Sequence, residues 1–506
     1  FLQRAQECAS RAWRAFKTAW WFGFGYFFFG LFWIGEAFLV EAETFAVFLP
    51  FAITLMPAGL SLFWATAVAT ASLFWRPGLQ RVVVLAVAIF LAEYARGHLF
   101  TGFPWNVLGY ALTWPLQLMQ ATSVLSVYAL TALAVLIFAA PLVALSDTKP
   151  TEHKKLSACA AAIASALVLA ALFAFGQARL SNQPTDYVEG VRLRLVQPST
   201  PQGEKWLAKK QSEIFQTHLD LSARNENGQP DGLAGVTHVI WPEAAMPFLP
   251  LSTPQAMAMI GDLLPEKTLL ISGALRVNEA RPTASTAAAQ AGELYGVGQL
   301  QRRVYNSMMT FGTNGNLVAL YDKTHLVPFG EYLPYSATLE AWGLQSLTRL
   351  RGGFTVGRTP RPLVAIPGLP ASAALICYEI IFPGAAVQTD AHPGLLINVT
   401  NDGWFGNTVG PYQHYHQARV RAVELGVPLI RSANNGISAV VDPLGRELHR
   451  LDLNAIGTLD ANLPKPVGVP FVSRFGHAAD VLLVLLLICA VLLKNTVGRL
   501  DDAPTT

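Results

Sequence analysis

The sequence predicts a polytopic α-helical membrane domain joined to a separate extracytoplasmic α/β domain. Three observations carry that prediction. The chain of 506 residues is 52% hydrophobic and only 14% charged, where soluble domains carry about 25% charged residues. Its long apolar runs fall before residue 180 and again near the C-terminal end. Between them lies a segment of ordinary charge content in which short strand patterns alternate with helical ones.

A membrane span takes about 20 mostly apolar residues. Six stretches meet or approach this, at roughly 19–36, 46–75, 82–98, 116–145, 156–176 and 478–494. Basic residues gather in alternate connections: Arg4, Arg11, Arg14 and Lys17 precede the first span, and Arg76 and Arg81 separate the second from the third. Lys149, Lys154 and Lys155 precede the fifth span, and Lys494 and Arg499 follow the sixth, whereas the connection 36–45 holds Glu36, Glu41 and Glu43 and no basic residue. The positive-inside rule then puts both termini in the cytoplasm and the large segment outside. The expected organisation is a transmembrane domain over 1–180, a catalytic domain over 181–470, and a last span with a cytoplasmic tail over 471–506. Glu93 and Arg96 lie near the outer end of the third span, three residues apart on one helix face. Charges at membrane depth are costly, so the two are expected to pair with each other, the alternative being contact with a lipid head group.

A net charge of +3 is too small to imply a nucleic-acid partner. The four cysteines show neither metal-ligand spacing nor the density of a disulfide framework, so no metal or other cofactor is expected.

In the outer segment, "VRLRLVQPS" alternates Val191, Leu193 and Leu195 with Arg192 and Arg194, the pattern of a half-buried strand. "THVIWPE", "TLLISGALRV", "YNSMMTFG", "AALICYE" and "GLLINVTND" read as further strands, with helical patterns at 203–224 and 411–425. This is a layered α/β domain with a well-covered sheet. The stretch 280–291, "ARPTASTAAAQA", reads as a low-complexity surface loop. Several strands end in residues able to do chemistry: Glu243, Cys377, and Asn401 with Asp402. Sites gather at strand ends in such folds.

Three stretches stand out chemically. "VIWPEAAMP" offers Glu243, "LYDKTHLVPFGEYLP" offers Lys323 and Glu331, and "ALICYEIIFP" offers Cys377. A carboxylate can take a thiol proton, the thiolate can attack a carbonyl, and an ammonium can steady the oxyanion. Taken alone, each has a plainer reading. Free cysteine is among the most buried residue types, a Glu after a strand is usually a turn residue, and a loop Lys is usually solvated.

The order and context favour chemistry. Glu243, Lys323 80 residues on and Cys377 54 further, set in "WPE", "YDKTHLVPFGEY", "ICYEIIFP" and "NVTNDGWFG", resemble the nitrilase, or carbon–nitrogen hydrolase, superfamily. The resemblance implies an αββα sandwich with Glu243 as base, Lys323 as oxyanion stabiliser and Cys377 as nucleophile. With the apolar spans, "FTGFPWNVLGY" at 100–110 and the stretch 413–446, nearly the whole chain is similar to the apolipoprotein N-acyltransferase family. That resemblance implies transfer of an acyl chain from a phospholipid, expected to be phosphatidylethanolamine, to the N-terminal amine of the diacylglyceryl-cysteine of apolipoproteins. It implies a thioester on Cys377, ping-pong order, and a bacterial inner-membrane location with the catalytic domain on the periplasmic side.

Glu331, Tyr378, Glu379 and Trp206 match further residues of the family pattern. Glu331 is expected to position Lys323 or the base; its plainer reading is a loop salt bridge. Trp206 reads equally as a core aromatic or a residue at the lipid interface. Trp404 and Phe405 line an acyl-chain groove on one reading and fill core on the other. His414 and His416 face apart on a helix and read as structural or surface residues rather than metal ligands. The family has eight spans, so two N-terminal spans are expected to be missing from this sequence. A membrane-anchored nitrilase-type amidohydrolase is the alternative, with the same triad and water as acceptor.

Overall fold

The computed structural model describes residues 2–75, 78–144, 152–280, 301–341, 346–348, 353–384, 391–476 and 478–501. Arg76, Lys149 and the low-complexity stretch from residue 281 on lie outside these, as do the side chains of Arg4, Lys154, Lys155, Lys494 and Arg499.

The first part of the chain is helical: α1 (Leu2–Leu31), α2 (Leu49–Ser72), α3 (Leu79–His98), α4 (Val127–Ala139) and α5 (Glu152–Asn182). Helical runs over Glu7–Leu39, Ala42–Ser72 and Cys159–Asn182 are long and apolar enough to cross a membrane. They turn large apolar side chains outward, among them Phe22, Phe29, Phe51, Leu55, Ile163 and Leu167. A contiguous exposed apolar surface of this kind belongs against lipid, not water.

The stretch 116–145 is not one long helix. Short turns at Leu116–Met119 and Gln120–Ser123 precede α4, which has only 13 residues. The Ser126 hydroxyl caps α4 by accepting from the N–H groups of Tyr128 and Ala129 at 3.1 and 3.3 Å. The Gln120 amide donates to the Leu444 carbonyl at 2.8 Å, which draws the turn onto the α/β domain instead of into a span. Glu93 and Arg96 pair as expected, both fully buried. Trp64 Nε1 donates to Glu93 at 2.6 Å, and Arg96 donates to the carbonyls of Phe103 and Trp105. The pair thereby fastens the 99–105 turn to α2 and α3.

The α/β domain contains β1 (Tyr187–Gln197), α6 (Gln211–Ser222), β2 (His238–Ile240), α7 (Pro254–Leu263), β3 (Leu269–Ala280), β4 (Gln301–Phe311) and β5 (Leu317–Asp322). Then follow β6 (Ser372–Ile376), β7 (Leu395–Thr400), α8 (Gly410–Leu425), β8 (Leu429–Ala433), β9 (Ser438–Val441), β10 (Glu447–Leu451) and β11 (Gly457–Pro464). A last apolar helix, α9 (Ala478–Asp501), ends the described chain.

The strands form two sheets, ordered β11-β1-β2-β3-β4-β5 and β10-β9-β8-β7-β6. The first is parallel over β1-β2-β3 with antiparallel strands on both sides, and the second is parallel over β6-β7-β8, with the antiparallel strands β9 and β10 on one side only. The inner faces meet through Leu193, Leu195, Ile240 and Ile271 of one sheet and Ile376, Ile397 and Val399 of the other. On the outer face of the first sheet, α6 and α7 bury Phe215, Leu219, Ala256 and Ile260 against Val196, Val239, Trp241 and Leu270. The layers are therefore helix, sheet, sheet, helix, with α8 outermost on the second sheet. Strand β1 departs from the half-buried expectation. Arg192 is exposed, but Arg194 is buried and ion-paired with Asp460 at 2.7 Å and Asp231 at 3.0 Å. The covering helix leaves a charge there no water, so two carboxylates take its place.

The two parts of the chain dock through aromatic groups. Trp33 and Trp105 both donate to the Gln413 side-chain oxygen Oε1, at 3.1 and 2.7 Å, and Phe405 packs edge-on against Trp33. Thr113 bonds to His416 at 2.7 Å, and Arg421 donates to the Tyr110 hydroxyl.

Candidate active site

Three strand ends converge. Glu243 follows β2 by three residues, Lys323 follows β5 directly and Cys377 follows β6 directly. All three are buried. Local backbone geometry aims them. Cys377 has φ +50° and opens a tight 3-10 turn, Cys377–Ile381. A non-glycine residue in the left-handed region carries strain of about 1–3 kcal/mol and persists only where its surroundings fix it. Ala244, just after Glu243, has φ +47°. Beside that turn Gly273 admits no side chain, since a Cβ would lie 2.5 Å from the Glu243 Cα.

The Lys323 ammonium lies 3.0 Å from Glu331 and 3.9 Å from Glu243. The Asn306 amide joins the two carboxylates, donating to Glu243 Oε1 at 2.8 Å and to Glu331 Oε1 at 3.0 Å. Glu331 also accepts the Val327 N–H at 2.8 Å. Of the two carboxylates, Glu331 thus holds Lys323 more closely, and Glu243 keeps one oxygen outside the described hydrogen bonds.

Burial pushes the Glu243 carboxyl above its usual range, with Lys323 opposing. Burial works to lower Lys323, but Glu331 and Glu243 outweigh it and hold the ammonium above its ordinary value. The Cys377 thiol is driven well up by burial, with the Glu243 charge adding and Lys323 opposing. Burial thus works against charge on both Glu243 and Cys377, while Lys323 is held in its charged form by the two carboxyl groups beside it.

Glu379 is fully buried and surrounded by donors. It accepts from the N–H groups of Ile376, Thr324 and His325 at 2.8, 2.9 and 3.0 Å, and from Tyr321, the Thr324 hydroxyl and Arg361. One carboxylate therefore ties the residues after Lys323 to the residue before Cys377. Burial opposes its charge, but Arg361, Lys323 and the backbone donors keep it below the usual carboxylate range. The Tyr378 hydroxyl donates to the Gly102 carbonyl at 3.1 Å, and its ring stacks on Phe103. The Cys377 turn is thus bonded to the turn that Glu93 and Arg96 fasten.

Trp206 is 45% exposed, which excludes the core reading. Trp404 is half-buried. Phe405 packs on Trp33, Trp105 and His414 at the junction of the two parts of the chain. His414 is buried, with Nδ1 facing Asp402 at 2.9 Å and Nε2 facing the Cys377 carbonyl at 3.2 Å. Three residues at the site had not been singled out in the sequence, Lys205, Asn306 and Arg361, and His414, read there as structural or surface, touches the Cys377 carbonyl. A polar Asn inside the "YNSMMTFG" strand and a Lys beside Trp206 were the available signals.

The α/β domain belongs to the class of carbon–nitrogen hydrolases: residues 192–467 match the family Carbon-nitrogen hydrolase. Residues 1–140 match Apolipoprotein N-acyltransferase N-terminal domain. Apolipoprotein N-acyltransferase of Rhodopseudomonas palustris is 45% identical over 481 residues, 95% of this chain and 86% of the relative. The same-named protein of Brucella melitensis is 43% identical over 94% of this chain and 85% of its own. An amidase structure from Nesterenkonia sp. AN1 aligns with 55% of this chain and 93% of its own at 18% identity and TM-score 0.35. The chain belongs to the apolipoprotein N-acyltransferase family.

Proposed function

We propose that this protein transfers an acyl chain from a membrane phospholipid to the N-terminal amine of an apolipoprotein's diacylglyceryl-cysteine, through a thioester on Cys377. Phosphatidylethanolamine is the donor on this reading, and the α/β domain works on the periplasmic side of a multi-pass inner-membrane protein. In the first step Glu243 takes the thiol proton and the Cys377 sulfur bonds to the ester carbonyl carbon. Lys323 steadies the oxyanion. The ester C–O bond breaks, and the departing lysophospholipid alkoxide takes the proton from Glu243. In the second step the lipoprotein amine attacks the thioester, Glu243 takes a proton from nitrogen, and the thiolate leaves and is reprotonated. A thioester suits this order because amines attack it readily. Glu331 and Asn306 position Lys323 and Glu243, and Trp206, Trp404 and Phe405 are candidates to touch the acyl chain.

The observation that carries the reading is the convergence of Glu243 and Lys323, 3.9 Å apart and buried, with the Cys377 turn. The membrane-facing helices favour a lipid donor over a small soluble one. The test uses the full chain in detergent with acyl-labelled phosphatidylethanolamine. A hydroxylamine-sensitive adduct absent from Cys377→Ala, whose label passes to a diacylated lipopeptide, is the expected result. Release of label only as free fatty acid overturns the acyltransferase in favour of an amidohydrolase-like hydrolase.

A further inference from the structure

Lys205 is 1% exposed, a rare condition for a lysine. It lies in the loop after β1, and that loop is fastened to the end of β8: Ser199 N–H donates to the Asn434 carbonyl at 2.8 Å, and the Asn434 amide donates to the Thr200 carbonyl at 2.8 Å. From there the Lys205 ammonium donates to the backbone carbonyl of Glu243 at 2.9 Å. Its charge interacts with both the Glu243 carboxylate and the Cys377 sulfur.

The charge balance of the site gives this residue a task. Glu243 and Glu331 place two carboxylates around one ammonium, Lys323, and Lys323 lies closer to Glu331. Such a group is net negative, whereas proton removal from Cys377 and attack on a carbonyl both build further negative charge there. A second buried cation brings the resting group to neutrality.

We propose that Lys205 is a positioning residue of the acyl-transfer site: its ammonium pins the left-handed turn that carries Glu243 and supplies the second positive charge against which the Cys377 thiolate forms. The proposal rests on the reading of Glu243, Lys323 and Cys377 given above. Burial brings Lys205 down to about 8, with Glu243 and Cys377 opposing, so below that pH the side chain carries its charge.

The experiment uses the full chain in detergent with Cys8, Cys159 and Cys489 replaced by Ser, leaving Cys377 as the single thiol. Iodoacetamide alkylation of Cys377 is followed from weakly acidic to alkaline pH, alongside acyl-adduct formation from phosphatidylethanolamine. Lys205→Met is expected to move the alkylation profile up by about one pH unit and to slow acylation about tenfold, the effect of one nearby charge. Lys205→Arg is expected to keep the profile within a few tenths of a unit. An unmoved profile in Lys205→Met, whether or not its melting temperature falls, overturns the proposal and leaves Lys205 a packing residue. Glu243→Gln and Lys323→Met separate this from failure of the underlying reading. If neither alters the profile nor acylation, the triad itself is wrong. If they do and Lys205→Met does not, only the role of Lys205 falls.

Discussion

Glu379→Gln is the most informative single change because it alters charge and donor count while keeping size. The native carboxylate faces only donors: three backbone N–H groups at 2.8–3.0 Å, two hydroxyls and the Arg361 guanidinium at 3.0 Å. A glutamine has one acceptor oxygen, so its NH2 group must face either the Ile376 N–H or the Thr324–His325–Arg361 cluster. At least one buried donor is left unpaired, at about 1–3 kcal/mol, and Arg361 loses its counter-ion in a site where breaking a buried pair costs about 3–5 kcal/mol. The two overlap, so about 4 kcal/mol is expected for the variant, a large part of the 5–15 kcal/mol that holds a typical domain. In a domain of this size that lowers the melting temperature by roughly 10 °C. Thermal melting in detergent reads the stability, and the hydroxylamine-sensitive adduct reads whether Lys323 and Cys377 keep their register. A variant that melts and acylates as the native protein does would refute the claim that this carboxylate joins the Lys323 and Cys377 loops.

Gly273→Ala should be severe, because the nearest atoms are backbone, with the Glu243 Cα at 2.5 Å and the Ala244 N at 2.8 Å. Overpacking of about 1–3 kcal/mol and loss of acylation are expected, whereas Gly468→Ala, which meets nothing within 4 Å, should be neutral in both assays. Tyr378→Phe removes one hydrogen bond to Gly102 and keeps the ring contacts. Acylation from phospholipid should fall about fivefold, with iodoacetamide reactivity of Cys377 unchanged. As pH falls, activity should be lost before the fold. Glu243, the proposed base, sits above the usual carboxylate range, so it is protonated first as pH drops. Glu379 and Asp402 sit below that range, so the stability they contribute, present above about pH 4, is lost only as pH falls through their lowered values. Parallel acylation and tryptophan-fluorescence profiles check the order.

The sequence by itself determined the division into apolar helices and an α/β domain, since periodicity and charge content are local properties of the chain. It also made Glu243 and Cys377 legible as the ends of strand patterns, whereas Lys323 read as a loop residue and was singled out only by the family motif around it. It did not determine that 116–145 breaks, because the Gln120 partner is Leu444, more than three hundred residues away. It read Arg194 as a solvent-side residue because alternation cannot reveal a helix covering the outer face. Glu379 was legible only as a neighbour of the thiol. Its six donors come from three separate stretches, around Tyr321–His325, Arg361 and Ile376. Lys205 was hidden for the same reason. A lysine beside a tryptophan is ordinary as sequence, and only the tertiary structure brings its ammonium to the Glu243 carbonyl and takes away the water that would otherwise screen its charge.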